Sequence, residues 1–208
     1  MQIVVLDHPL GHHKLSLLRD RRTPMFLFRS LTEELGLMLA VEATRNLSIE
    51  VTEVETPLEK MSGHLLTKLD PALVPVLRAG LGLVPSFLKL LPTAKVGHIG
   101  MNRDHATLKP VPYYRNFPPM LEARAVYVLD PMLATGGSAS EAVQEVKDAG
   151  AKNITLVSVI AAPEGLARME KDHPDIRIVV GAVDRELNEK GYILPGLGDA
   201  GDRTFGTI

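Results

Sequence analysis

The chain has 208 residues, contains no cysteine and carries a formal net charge of −2. The lack of cysteine excludes disulfides, thiolate metal sites and cysteine nucleophiles, and the small net charge gives no general attraction to nucleic acid. Although 45% of the residues are hydrophobic, no apolar run is long enough to cross a membrane, and the N-terminus lacks the basic start of a signal peptide. We therefore expect a cytoplasmic globular protein with a single domain spanning residues 1–208.

Apolar segments of strand length alternate with segments of helical periodicity, and no repeat or linker divides the chain. An apolar strand opens the sequence, a helix follows from about residue 24 to 45, and residues 49–54 alternate as a half-exposed strand does. Further strands are predicted at 73–77, 96–101, 126–129, 154–160 and 176–180, and further helices at 83–91 and 138–149, with Gly150 as the cap of the last helix. This succession predicts an α/β fold with a mainly parallel sheet flanked by helices. Ligands of such folds bind at the carboxyl ends of the strands.

Two segments show no such periodicity. Residues 104–120 are rich in Pro, Tyr and Lys, and we interpret them as a mobile arm. The segment after residue 180 is rich in glycine and has no helical pattern. Near the N-terminus, His8, His12 and His13 cluster without the cysteine or spaced carboxylate that would complete a metal site, so we interpret them as part of an exposed polar turn.

The most informative segment runs from Val126 to Ser138. An apolar strand leads into an acid, and a Thr-Gly-Gly-Ser turn then opens a predicted helix. A carboxylate accepts hydrogen bonds from two neighbouring hydroxyls, while glycines and the free N–H groups of a helix start bind phosphate. The segment therefore predicts a site for a phosphorylated ribose, with a ligand-free strand-turn-helix connection as the alternative. Its candidate residues are Asp130, Pro131, Met132, Leu133, Ala134, Thr135, Gly136, Gly137 and Ser138.

Two arginines follow other predicted strands, at the same edge of the sheet as Asp130. Arg78 precedes the small residues Ala79 and Gly80, and Arg103 comes shortly after the strand at 96–101. Guanidinium groups bind phosphate oxygens through paired, charge-assisted hydrogen bonds. Each arginine also has an ordinary interpretation, Arg78 as a solvated surface residue and Arg103 as part of a polar turn.

The segment from Gly196 to Gly201 matches the Gly-x-Gly-x-x-Gly pattern of dinucleotide-binding turns. Only residues 202–208 follow it, so the helix and further sheet that such a turn requires are missing, and we exclude NAD binding. We interpret the segment as a loop that presents backbone N–H and C=O groups to a flat polar ligand.

Three segments, 77–82, 130–138 and 191–203, resemble in sequence and in order those of the uracil phosphoribosyltransferases, a branch of the type I phosphoribosyltransferases. The resemblance covers nearly the whole chain. It implies transfer of the 5-phosphoribosyl group from phosphoribosyl pyrophosphate to uracil, which gives UMP and pyrophosphate. It also implies a type I core at about 50–180 and a small hood, built from about 1–25 and 184–208, that holds the base.

The resemblance also implies roles for individual residues. Asp130 and Arg103 would act in catalysis, and phosphoribosyl pyrophosphate would contact Arg78, Arg103, residues 130–138 and Asp199. Many type I enzymes have two acids before the loop, whereas this chain has only Asp130, so Mg²⁺ would be carried on the pyrophosphate and no protein metal ligand is expected. Uracil would be bound by Ile193, Gly198, Asp199 and Ala200.

The remaining expectations concern the oligomeric state of the protein, its regulation and two rival functions. The resemblance implies a homodimer or higher homo-oligomer, for which the helix at 25–39 is a candidate contact surface, with core packing as its alternative role. GTP is a candidate effector. One rival function is a nucleotide-binding RNA regulator on the same scaffold, although no basic face is evident. The other is a phosphoribosyltransferase for a different base.

Overall fold

The computed structural model describes residues 1–66, 70–103 and 110–207. The strands are β1 (Gln2–Val5), β2 (Ile49–Glu55), β3 (Lys60–Leu66), β4 (Ala72–Leu77), β5 (Lys95–Val96), β6 (His98–Arg103), β7 (Pro110–Asn116), β8 (Ala125–Leu129), β9 (Met132–Leu133), β10 (Asn153–Ala161), β11 (Arg177–Val183), β12 (Glu186–Leu187) and β13 (Ile193–Leu194). The helices are α1 (Pro9–Arg19), α2 (Met25–Ala43), α3 (Val84–Leu90), α4 (Gly137–Asp148), α5 (Pro163–Asp172) and α6 (Ala200–Phe205).

A central sheet has the strand order β1-β11-β10-β8-β4-β6-β7, with β5 beside β4 and β9 beside β10. Neighbouring strands run parallel except for β6 and β7, which are antiparallel. Pro75 is tolerated in β4, where it lies opposite Leu129 of β8. The predicted α/β fold with a mainly parallel sheet is therefore confirmed.

Helices cover both faces of this sheet. One core joins α1, α2 and α3 to the sheet, and the other joins α4 and α5 to it. On α2, the side chains of Phe28, Leu31, Leu35 and Leu39 are almost fully buried, and burying each one contributes about 1.5–3 kcal/mol. This helix, predicted as either a subunit contact or a core element, is thus chiefly a core element.

His12 and His13 lie on α1 and His8 is its N-cap, so the three histidines are exposed as predicted but belong to a helix and not to a turn. Pro9 occupies the first turn of α1, where its fixed φ favours helix, and His8 caps the helix by accepting a hydrogen bond from the Leu10 N–H (3.1 Å). No group of three or more metal-ligating side chains occurs in the described part of the chain. The strand β1, within the predicted hood, pairs with β11 at the edge of the central sheet.

Elements that the sequence pattern missed lie mostly at the periphery. β3 pairs with β2 in an antiparallel hairpin outside the central sheet. The segment predicted as an irregular mobile arm contains β7, and residues 104–109 lie outside the described ranges. The glycine-rich tail includes the β12–β13 pair and the short helix α6. None of the helices in the described ranges has the length and apolar character needed to span a bilayer.

Candidate active site

A cavity of about 320 Å³ opens at the carboxyl edge of the sheet, where β4 and β8 end side by side. It brings together most of the predicted donor-site residues. Pro131 does not line it, because this residue is buried and its carbonyl accepts hydrogen bonds from Val159 and Ile160 of β10. The predicted residues that line the cavity are Arg78, Asp130, Met132, Leu133, Ala134, Thr135, Gly136, Gly137, Ser138 and Asp199.

Asp130 is the acid at the base of this cavity. Removal from water raises the pKa of its carboxyl to about 7, and a hydrogen bond from the backbone of Met132 opposes that rise only in part. An acid with a pKa near neutrality lies at the boundary between its two protonation states, which is characteristic of functional sites. Once ionised, the carboxylate can accept hydrogen bonds from a pair of neighbouring hydroxyls.

The start of α4 forms one wall of the cavity. Gly136 is its N-cap, with φ of 75°, a left-handed conformation that favours glycine. No side chain caps the helix, although the Thr135 hydroxyl lies 3.4 Å from the Gly137 N–H. Gly137 and Ser138, which carry the first N–H groups of this twelve-residue helix, line the cavity together with Gly136 and Thr135. This arrangement suits a phosphate group.

Of the two predicted arginines, the structure describes the side chain of Arg78 but not that of Arg103. Arg78 follows β4 after a cis Leu77–Arg78 peptide bond, and its guanidinium lies 3.2 Å from the carboxylate of Asp202 and 3.4 Å from the hydroxyl of Thr207. Both partners of this ion pair are substantially exposed, so the pair is weak and an anionic ligand can replace Asp202. Arg103 is the last residue of β6, and its side chain lies outside the described part of the structure.

Of the four residues predicted to bind the base, one lines the cavity. Asp199 does so, and it also caps α6 by accepting a hydrogen bond from the Asp202 N–H (2.9 Å). The side chains of Ile193 and Ala200 are buried in the core, and Gly198 has none. These three residues can therefore reach a ligand only through backbone groups. Gly191 and Gly201 also line the cavity, although neither was predicted as an individual site residue.

An ion pair between Arg19 and the buried Asp184 holds the C-terminal segment in place, and sequence reasoning missed it. The guanidinium of Arg19 on α1 donates two hydrogen bonds to Asp184, one of them 2.7 Å long, and a third to the Gly196 carbonyl (2.7 Å). Asp184, which is buried, also accepts a hydrogen bond from the Gly196 N–H (2.9 Å). The first helix is thereby joined to the loop that follows Ile193.

A second anchor involves Arg203 of α6. Its guanidinium lies 4.3 Å from the centre of the Phe28 ring and donates hydrogen bonds to the carbonyls of Leu18, Asp20 and Leu197. Burial lowers its pKa, but an arginine stays charged in proteins. Together with the Arg19–Asp184 pair, it fixes the C-terminal segment against α1 and α2.

A larger cavity, of about 630 Å³, lies at the opposite, amino edge of the sheet near Pro71, Ala125 and Asn153. It includes no glycine-rich helix start, and its arginine, Arg124, already donates hydrogen bonds to the Asp70 and Pro119 carbonyls. In α/β sheets the carboxyl edge is the usual ligand site, so the smaller cavity is the candidate active site.

Known proteins are similar to this chain in sequence over nearly their full length. The family model described as uracil phosphoribosyltransferase matches residues 5–207. The chain is 52% identical to the uracil phosphoribosyltransferase of Finegoldia magna, covering 99% of both chains. It is 53% identical to that of Thermus thermophilus, covering 100% of both.

Two solved structures are similar to this chain in fold. The AQ2163 protein from Aquifex aeolicus superposes with a TM-score of 0.92 at 41% identity, with 99% of each chain covered. A hypoxanthine phosphoribosyltransferase from Trypanosoma cruzi has a TM-score of 0.50 at 10% identity, covering 76% of each chain, and is similar in fold alone. The family match and the full-length identity establish the relationship, and this chain belongs to the uracil phosphoribosyltransferase family.

Proposed function

We propose that this chain transfers the 5-phosphoribosyl group from phosphoribosyl pyrophosphate to uracil, forming UMP and pyrophosphate. The observation that carries the proposal is the cavity that joins an acid, an open helix start and an arginine at one edge of the sheet. A phosphorylated ribose with a pyrophosphate leaving group presents the complementary groups, namely two hydroxyls and two separate sets of phosphate oxygens. The names of the curated relatives support uracil as the base.

Each group of the donor has a counterpart in this cavity. Asp130 accepts hydrogen bonds from the ribose hydroxyls, and the start of α4, with Thr135 and Ser138, binds the 5′-phosphate. Arg78 and Arg103 bind the pyrophosphate. As the bond to pyrophosphate breaks, positive charge develops on the ribose and negative charge on the leaving group. Catalysis therefore comes mainly from positioning and from stabilising these charges.

Magnesium fits this site as an ion carried by the donor. Among the described residues that line the cavity, only Asp130 and Asp199 carry carboxylates. Two are too few for a protein cage, whereas Mg²⁺ commonly binds substrate phosphates with one or two protein carboxylates. Bound in this way, Mg²⁺ would share the charge of the leaving group.

The base binds, in this proposal, to the C-terminal segment. Backbone groups at Ile193, Gly198 and Ala200, with Asp199, pair with the edge of uracil, where cytosine would leave one polar group unpaired. The helix α1 and residues 184–207 form the hood around it, and the Arg19–Asp184 pair fixes their relative position.

Replacing Asp184 with Asn should weaken uracil binding more than donor binding. The change leaves Arg19 with a neutral partner and perturbs the loop at Gly196. Breaking a buried ion pair costs up to about 3–5 kcal/mol when one partner is lost, and we expect a smaller loss for Asn because it still hydrogen bonds. Steady-state kinetics should show a raised KM for uracil with a nearly unchanged KM for phosphoribosyl pyrophosphate. Equal effects on both substrates would contradict the assignment of the hood.

The proposed function itself is tested by measuring pyrophosphate release. The purified protein is mixed with phosphoribosyl pyrophosphate and Mg²⁺ in parallel reactions that contain uracil, cytosine, hypoxanthine or no base. Release that depends on uracil, with UMP as the product, is the expected result. Release only with a base other than uracil would overturn the assignment of uracil as the substrate. No release with any base would favour the RNA-binding alternative, which the named relatives do not support.

We also propose that the protein is a homodimer or a higher homo-oligomer. Exposed apolar side chains on the β2–β3 hairpin, such as Ile49, Val51, Met61 and Leu65, and Phe26 at the start of α2 are available for a subunit contact. Light scattering would measure the number of subunits.

GTP stays a candidate effector, which is tested by adding it to the pyrophosphate assay. The cytoplasmic location stays a prediction from the sequence.

A further inference from the structure

The helix α5 packs against the phosphate-binding loop, by which we mean residues 130–138, where the start of α4 lines the cavity. At its start, Gly165 packs so closely that a Cβ atom there would lie 2.5 Å from the Ala134 carbonyl oxygen and 2.7 Å from that of Leu133. The Ala162 N–H, at the cap of α5, donates a hydrogen bond to the same Leu133 carbonyl (2.9 Å). The first half of the loop therefore rests on the backbone of α5.

The other end of α5 holds the first turn of α4. The Ser140 hydroxyl donates a hydrogen bond to the Asp172 carboxylate (2.8 Å), and the Nε2 atom of His173 lies 2.9 Å from the Ser140 carbonyl oxygen and 3.2 Å from its hydroxyl. Because a carbonyl oxygen only accepts, His173 is the tautomer that carries its proton on Nε2. Ser140 and His173 are both buried. Burial lowers the pKa of His173, in keeping with a neutral ring that donates to α4.

Few side chains hold the phosphate-binding loop in place from the cavity side. No side chain caps α4, and the Ser140 N–H donates to the Gly136 carbonyl (2.8 Å), so the position of Ser140 determines that of the cap. A loop held at both ends by one helix keeps its N–H groups in place before the ligand arrives. Such preorganisation lowers the cost of binding an anion.

We propose that α5 positions the phosphate-binding loop, with Gly165 supporting its start and Ser140, Asp172 and His173 fixing the helix turn at its end. These are positioning residues, because none of them lines the cavity. The inference rests on the proposed function and deepens it by assigning residues that control the affinity for the donor. It predicts that substitutions here affect phosphoribosyl pyrophosphate and leave uracil largely unaffected.

Three variants test this proposal: Ser140→Ala, Gly165→Ala and His173→Leu. Alanine is the best helix former, so the first two changes favour their helices intrinsically, and weaker donor binding would have to come from a displaced loop. A misplacement of about 1 Å in a positioned active site lowers the rate by up to about 100-fold, and we expect a smaller effect on donor affinity. We expect the Kd of phosphoribosyl pyrophosphate with Mg²⁺, measured by calorimetry, and its KM to rise about 5- to 10-fold in Ser140→Ala and more in Gly165→Ala.

Matched controls separate positioning from general destabilisation. His173→Gln keeps a side-chain N–H donor and should restore much of the affinity lost in His173→Leu, while Glu170→Ala, an exposed change on α5, should bind the donor normally. Unchanged donor affinity in folded Ser140→Ala and Gly165→Ala, or equal losses for donor and uracil, would overturn the inference. If the unsubstituted protein releases no pyrophosphate, the proposed function fails instead, and the calorimetric comparison still tests the role of α5.

Discussion

Asp130→Asn is expected to lower kcat/KM for phosphoribosyl pyrophosphate by about 100- to 1,000-fold, the range found when one stabilising group of an active site is removed. The amide keeps the size of the carboxyl group but carries no charge and only one acceptor oxygen. In the unsubstituted enzyme, kcat/KM should fall as the pH drops below about 7, because the partly buried carboxyl then becomes protonated. Initial rates across pH 5–9 measure both effects.

The same substitution is expected to stabilise the folded protein. The folded-state pKa of about 7 exceeds the usual 3.8, so ionisation of Asp130 costs stability increasingly as the pH rises from about 4 to 7 and fully above 7. Removing the charge should therefore raise the free energy of unfolding at pH 8 by about 1–3 kcal/mol, a value reduced for partial exposure, with little gain at pH 4. Thermal unfolding at the two pH values measures the difference.

An acid outside the cavity provides the control for Asp130. Asp148 is an exposed residue at the end of α4 whose carboxylate accepts a hydrogen bond from Gln144. Asp148→Asn should leave kcat/KM unchanged and shift stability by no more than about 0.5 kcal/mol at either pH. Wild-type activity in Asp130→Asn would remove the ribose-binding role of this residue.

Arg78→Ala should lower kcat by about 100- to 1,000-fold with little change in stability, since the lost guanidinium would act on charge that develops on the pyrophosphate. Its ion pair with Asp202 is largely exposed, so losing that pair costs little free energy of unfolding. Lysine keeps the charge but not the paired donors, and Arg78→Lys should recover only part of the rate. Single-turnover kinetics with saturating donor separate this loss from weaker binding.

Arg45 offers a matched comparison, because it is also an exposed arginine paired with an acid, Glu42, but lies in the turn that follows α2. Arg45→Ala should retain the full kcat. An Arg78→Ala enzyme that keeps kcat while its KM for the donor rises would show that Arg78 contributes equally to ground-state and transition-state binding. Full activity in that variant would exclude Arg78 from the site.

The parts of the fold that sequence patterns predicted are those whose burial leaves a local signature. Both β8 and β10 are buried strands, and α4 has one apolar face, so continuous apolar runs and helical periodicity identify them. In contrast, α5 has only two buried residues, Gly165 and Met169, which is too few for a periodic pattern. The strand β7 includes two prolines and exposed tyrosines, a composition that only an edge strand tolerates.

The candidate site shows the same distinction. The loop after Asp130 and the position of Arg78 depend on adjacent residues and could be predicted. The Arg19–Asp184 pair joins positions 165 residues apart, and no local pattern marks either partner. For Gly80 the sequence indicated a small residue but not its reason, because a Cβ there would lie 2.3 Å from the Leu129 carbonyl oxygen of the neighbouring strand. The close approach is to β8, not to a ligand.

The contacts of Arg203 with Leu18 and Asp20 have a consequence for the order in which the two halves of the site form during synthesis. A ribosome adds about 5–20 residues per second, so β4, β8 and the start of α4 emerge several seconds before residue 203. The strands and the helix start around the cavity are therefore made before the segment that Arg203 anchors. That segment can dock on α1 only after Arg203 has been added to the chain.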